Sequence, residues 1–181
     1  MRVFVFFAAV ATVLMLHAPA RADDAAPATL TVIGKVGTSN RPGFDPFRDA
    51  FFKFHGKEFE KAFAFDRAAL KALPQRTVTA KAAPWPKPVT ASGPPLKDVL
   101  DAAGVADDAT VTLFALDGYG VTLSPADRAA RDWVLAIEMD GTPLAIGGRG
   151  PAWLLYDTGD GTASEDAEAK WVWSVFVIAA E

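Results

Sequence analysis

Two Asp-Gly pairs constrain this chain more than any other feature. Asp117-Gly118 separates Thr110–Leu116 from Tyr119–Leu123, and Asp140-Gly141 separates Trp133–Met139 from Pro143-Leu144. An Asp-Gly pair accepts positive φ, which a tight hairpin turn demands, so each pair between apolar runs predicts two antiparallel strands. A chain with two such hairpins and no long amphipathic helix has to build its core from sheets.

The remaining segments extend that pattern. Thr29–Val36, Phe59–Phe65, Arg76–Lys81, Ala152–Tyr156 and Lys170–Ala179 are short and rich in β-branched or aromatic residues, and read as strands. Three short helices are expected. Asp66 caps Arg67–Leu73, which Pro74 stops. Pro94–Ala103 places Leu96, Val99 and Leu100 on one face and ends at Gly104. Ser124-Pro125-Ala126-Asp127 opens the third, with serine as cap, proline at the first position and aspartate at the positive end of the helix dipole. Gly37–Gly43, Ala83–Pro88, Gly147–Gly150 and the polar Thr158–Ala169 read as loops, and the aromatic-rich Asp45–Gly56 follows neither period. About eight strands and three helices without βαβ alternation predict one α+β domain, mainly β.

The N-terminus is organised differently. Arg2 precedes an uncharged apolar run, Val3–Leu16, and Ala20-Arg21-Ala22 forms a small-x-small site before Asp23-Asp24. That is the layout of a secretory signal. The run is shorter than the roughly 20 residues of a membrane span. Residues 1–22 are therefore expected to be removed, 23–28 to be a flexible leader and 29–181 to be the working domain, periplasmic or secreted, with no stable membrane span after cleavage. The chain has 18 Lys and Arg against 22 Asp and Glu, and losing Arg2 and Arg21 makes it more acidic, which argues against nucleic acid as a partner. It has no cysteine, so thiolate metal sites and thiol nucleophiles are excluded. His55 is the one histidine beyond the leader, too few for a multi-histidine metal site.

From Asp117-Gly118-Tyr119 onward the order of features resembles the molybdopterin-binding oxidoreductase domain of the sulfite oxidase family. The carriers are Leu135-Ala136, then Met139-Asp140-Gly141-Thr142-Pro143-Leu144, then Gly150-Pro151, the apolar Trp153–Tyr156 and Lys170-Trp171. Upstream, Leu30–Val36 is similar to the family's first strand. Thr77–Thr79 is similar to the strand before its metal-ligand loop, and Gly93-x-x-Leu96-x-Asp98-Val99-Leu100 to its Gly-x-x-Leu helix. The resemblance implies that fold over about residues 29–180 and makes molybdopterin the candidate cofactor. It also exposes departures. In the family's enzymes a cysteine after the Thr77–Thr79 strand binds molybdenum, whereas here Ala80-Lys81-Ala82-Ala83 follows. The family's arginine after the Gly-x-Pro element is replaced by Trp153-Leu154. In this the sequence resembles the short exported members, which keep the fold and lack the ligand.

Five residues are candidates for a cofactor or ligand site: Trp85, Asp117, Tyr119, Arg149 and Lys170. Trp85 stands between Pro84 and Pro86 as a rigid aromatic platform, or else packs into the core. Asp117 and Tyr119 could offer a carboxylate and a phenol at a cleft mouth, or serve only the turn. Gly147-Gly148-Arg149-Gly150 could wrap an anion with converging N–H groups and a guanidinium, or be an exposed connection. The resemblance places Lys170 near the cofactor or substrate cleft; the plain alternative is a solvated lysine. Trp153, Trp171 and Trp173 are expected in the core, His55 is read as structural, and Asp157–Gly161 as an acidic surface loop that does not match calcium-loop spacing. No metal site is expected.

Three functions follow. The first is an exported domain of this fold without molybdenum catalysis, binding a small anionic or pterin-like ligand or a periplasmic redox partner. The second is a molybdopterin-dependent oxidoreductase that holds its cofactor without cysteine. The third is a non-catalytic structural or interaction protein.

Overall fold

A computed structural model describes residues 26–181. The expected signal segment lies outside the described residues, and Ala26–Ala28 of the leader are exposed and irregular.

Three sheets share the chain. The largest has five strands: β1 (Leu30–Gly34), β2 (Ala62–Phe65), β5 (Val111–Ala115), β6 (Gly120–Leu123) and β11 (Val175–Ala180), in the order β2-β1-β11-β5-β6. Only β1 and β11 run parallel, with Thr31 opposite Val177. The second sheet holds β3 (Arg76–Ala80), β4 (Val89–Gly93), β8 (Glu138–Met139) and β9 (Thr142–Pro143), and the third pairs β7 (Val134–Ala136) with β10 (Trp153–Leu155). Five short helices fill the connections: α1 (Ala50–Phe54), α2 (Arg67–Ala72), α3 (Leu96–Ala102), α4 (Pro125–Ala129) and α5 (Glu165–Glu168). The mainly-β α+β reading holds.

The hairpin signals act as physics requires. Asp140 and Gly141 take φ of 49° and 74°, and the turn joins β8 to β9. Asp117-Gly118 joins β5 to β6, with Thr112 opposite Thr122. The Ser124 cap is a full capping box: its hydroxyl accepts from the Asp127 N–H, and the Asp127 carboxylate accepts from the Ser124 N–H. Asp66 caps α2 by accepting from the Ala69 N–H.

One apolar cluster lies between the sheets and α3. It includes Leu30 and Val32 of β1, Leu113 of β5, Val99 and Leu100 of α3, and Trp153 and Leu154 of β10, all essentially inaccessible. The five-stranded sheet is also covered on its other face. Phe52 of the aromatic-rich segment, with Phe44 and Phe59 that flank it, packs there on Ile33, Phe176 and Val177. The segment holds the short helix α1, whose Phe51 and Phe52 rest on Phe176 while Phe47 and Phe54 stay exposed, so its aromatics follow no clean period. Arg41 reinforces it, bonding Asp49 and lying over the rings of Phe52 and Phe59.

Several boundaries differ from expectation. Val89–Gly93 is a strand between β3 and β8, although its small residues carry little apolar signal. Thr158–Ala169 is not all loop, because Ser164 caps α5 within it. The closing strand starts at Val175 rather than Lys170, because Ser174 takes a left-handed φ of 54° and turns the chain. The Trp133–Met139 run divides into β7 and β8 at Ile137.

Candidate functional site

Three connections meet at one end of the molecule: the rigid loop after β3, the β5–β6 turn, and the chain from the glycine loop through α5 to β11. They enclose a cavity of about 400 Å³. Of the five candidates, Trp85, Asp117, Tyr119 and Arg149 line it.

Each is fixed by identifiable contacts. Trp85 donates its indole N–H to a Glu168 carboxylate oxygen at 2.9 Å, and its ring lies 5.3 Å from Trp153 and 5.4 Å from Trp171. Asp117 accepts the Tyr119 N–H at 2.9 Å through Oδ1. The Tyr119 hydroxyl donates to the Ala169 carbonyl at 2.7 Å, bridging the hairpin turn to the end of α5. Arg149 lies over the face of Trp153, its guanidinium carbon 4.4 Å from the ring centre, and 5.5 Å from that of Trp85.

The guanidinium of Arg149 is the unusual group. It is half-buried, yet among the described residues it forms no side-chain hydrogen bond, and no carboxylate lies within the 4.0 Å of an ion pair. Burial pulls Arg149 below its ordinary pKa, while the charge of Glu168 pulls it back up. A half-desolvated cation with no direct partner is an unfilled acceptor-seeking group.

Two of the glycine loop's N–H groups are turned away from the cavity. The N–H groups of Gly148 and Gly150 both donate to the Ala145 carbonyl at 3.1 Å, so they are spent inside the loop. Ser174 anchors the loop further by donating its N–H to the Arg149 carbonyl at 2.9 Å. The loop holds Arg149 with these two donors turned inward.

Lys170 is absent from the cavity wall. Although it follows Ala169, its ammonium points to Asp127 on α4 at 2.5 Å. The Asp127 carboxyl is lowered from 3.8 to about 2, chiefly by this bond and then by those from the Ser124 hydroxyl and N–H. A folded-state pKa below the unfolded value gives stabilisation that is complete above about pH 4 and is lost as pH falls through about 2. Comparing unfolding of the wild type and Asp127→Asn from pH 6 to pH 2 should therefore show a gap that closes below pH 4. Both side chains are partly exposed, so the gap is expected to be small. A gap independent of pH would remove the assigned linkage.

Other expectations are corrected or sharpened. Trp173 is not a core residue: it is 43% exposed and lines the cavity. Trp153 and Trp171 are buried, as expected, but their edges form the cavity floor. Four of the chain's five tryptophans thus converge here. Glu168 was legible only as part of an acidic stretch, and α5 turns it toward Trp85. His55 lies behind the hairpin turn, packed on Phe51, Phe54 and Phe176, and is not in the cavity wall. The Asp157–Gly161 loop is tied to β3 by the Thr158 N–H donating to the Thr79 carbonyl at 2.9 Å.

Residues 48–181 match the model of the oxidoreductase molybdopterin-binding domain. The chain belongs to that family. The match takes in every element from α1 to β11, including all the cavity-forming connections. The fold is similar to that in the crystal structure of the sulfane dehydrogenase SoxCD from Paracoccus pantotrophus, with a TM-score of 0.54 and 19% identity. The similarity covers 83% of this chain and 37% of that one, so this chain spans a little over a third of that protein's length. No curated protein matches the sequence significantly.

Whether the residues present suit a molybdenum cofactor is a question of donors. The segment after β3 offers Ala82, whose methyl group is fully buried and whose backbone bridges Ala163. The chain has no cysteine, and among the described residues no three His, Asp or Glu side chains gather as a metal site. The cavity wall carries one cation, Arg149, and two carboxylates, Asp117 and Glu168. A molybdenum ion held there would lack a soft anionic ligand. The donor set does not fit that cofactor.

Proposed function

We propose that this chain is an exported, cysteine-free member of the family that binds a small anion in the Arg149 cavity and performs no molybdenum chemistry. The observation that carries the reading is the half-buried guanidinium stacked on Trp153 with no carboxylate within 4.0 Å. An incoming oxyanion would form charge-assisted, bidentate hydrogen bonds with it and relieve its desolvation. Trp85 and Tyr119, each held by its own hydrogen bond, keep the walls in place without rearrangement.

The test has two parts. Native mass spectrometry of protein recovered from its exporting host should give a chain that starts at Asp23 and carries no molybdenum. Titration with acetate, sulfate and phosphate, followed by tryptophan fluorescence, should saturate for at least one of them. Arg149→Gln should weaken that binding by at least tenfold, since truncating a desolvated charge partner costs about 2 kcal/mol or more. Stoichiometric molybdenum, or binding unchanged in Arg149→Gln, would overturn the reading.

A further inference from the structure

The charges around the cavity are not those of a simple anion site. Arg149 brings one positive charge, but Asp117 and Glu168 bring two negative ones, and among the described residues neither carboxylate has a cationic partner within 4.0 Å. One oxygen of each is engaged: Asp117 Oδ1 by the Tyr119 N–H and Glu168 Oε1 by the Trp85 indole. The other oxygen of each forms no hydrogen bond among the described residues. A ligand bearing only negative charge would gain at Arg149 and lose at both carboxylates.

The remaining wall is aromatic. Tyr119 and Trp173 are 50% and 43% exposed, large values for rings at a cavity, and Trp85 is half-buried beside them. Aromatic faces attract cations through the negative potential of the ring, most strongly for tryptophan. Two backbone carbonyls at the wall each accept one bond already: that of Ala169 from the Tyr119 hydroxyl, and that of Trp171 from the Trp153 indole at 3.3 Å. An alkylated ammonium gains from aromatic faces and from the field of the two carboxylates without needing a hydrogen-bond acceptor.

Resting on the anion reading above, we propose that the ligand is a small zwitterion of the betaine class. Its carboxylate meets Arg149, and its alkylated ammonium lies against the exposed aromatic faces under the field of Asp117 and Glu168. Positive and negative ends then each meet their complement.

Three probes of similar size separate the contributions: glycine betaine, its carbon isostere 3,3-dimethylbutanoate, and choline. Calorimetry and tryptophan fluorescence on the mature protein should show betaine binding at least tenfold more tightly than either of the others. Asp117→Asn, which keeps the oxygen that caps the turn, should weaken betaine and strengthen dimethylbutanoate. Dimethylbutanoate binding as tightly as betaine would overturn the zwitterion while leaving the anion site intact. Choline binding as tightly as betaine would overturn both readings. Binding of acetate, sulfate or phosphate with no betaine binding up to millimolar concentration would overturn the zwitterion alone.

Discussion

Trp153→Ala is expected to destabilise the domain by about 3–5 kcal/mol, the range for removing a fully buried aromatic side chain. Trp153 is 1% exposed, sits on β10 opposite Ala136 and donates its indole N–H to the Trp171 carbonyl. Its ring also supports Trp85 and carries Arg149 on its face. Truncation therefore leaves a void in the core, orphans the Trp171 carbonyl, and removes the surface that positions the guanidinium. Against a typical total of about 5–15 kcal/mol, a loss of that size consumes much of the margin. Urea unfolding of wild type, Trp153→Ala and Trp153→Phe should rank the phenylalanine variant between the other two. A loss below about 1 kcal/mol for the alanine variant would show that the ring is not a structural floor.

Gly93→Val is expected to cost about 3 kcal/mol or more, through overlap that no rotamer relieves. A Cβ at Gly93 would lie 2.1 Å from the Leu135 carbonyl oxygen and 2.6 Å from the Ala136 Cα, both backbone atoms of β7. The two segments are also tied by hydrogen bonds, from the Leu135 N–H to the Pro94 carbonyl and from the Ile137 N–H to the Ser92 carbonyl. To accept a side chain, β4 and β7 would have to separate and lose those bonds. For a domain of this size each kcal/mol lowers Tm by roughly 2–4 °C, so a drop near 10 °C is the expected reading. Gly148→Ala is the matched control, since its Cβ would meet only the Ala145 carbonyl at 3.5 Å. Equal Tm values for Gly93→Val and wild type would refute the close-approach account.

The same close approach explains why β4 was hard to see in the sequence. The strand ends in Ala91-Ser92-Gly93, where the Leu135 carbonyl leaves no room for a Cβ at Gly93, and small residues carry little hydrophobic signal. The Asp45–Gly56 segment was opaque for a different reason. Phe51 and Phe52 rest on Phe176 while Phe47 and Phe54 are exposed, so one short helix carries aromatics on more than one side. Lys170 shows the limit of carrying a position over from a resemblance. Its place in the chain lies beside the cavity, but the capping box that holds Asp127 offers its ammonium a nearer partner on the far side.

The sequence by itself determined most of the strands, both hairpin turns and the Asp66 and Ser124 caps, because Asp-Gly pairs, Ser-Pro starts and apolar alternation act over a few residues. It determined the absence of thiolate chemistry as well, since composition needs no fold. Only the tertiary structure decided that Trp85, Tyr119, Glu168 and Arg149 share one cavity. Those residues come from three connections far apart in the chain, and their meeting depends on how the sheets pack. The guanidinium's lack of a partner is likewise a property of that packing, visible only once every neighbouring carboxylate has been placed.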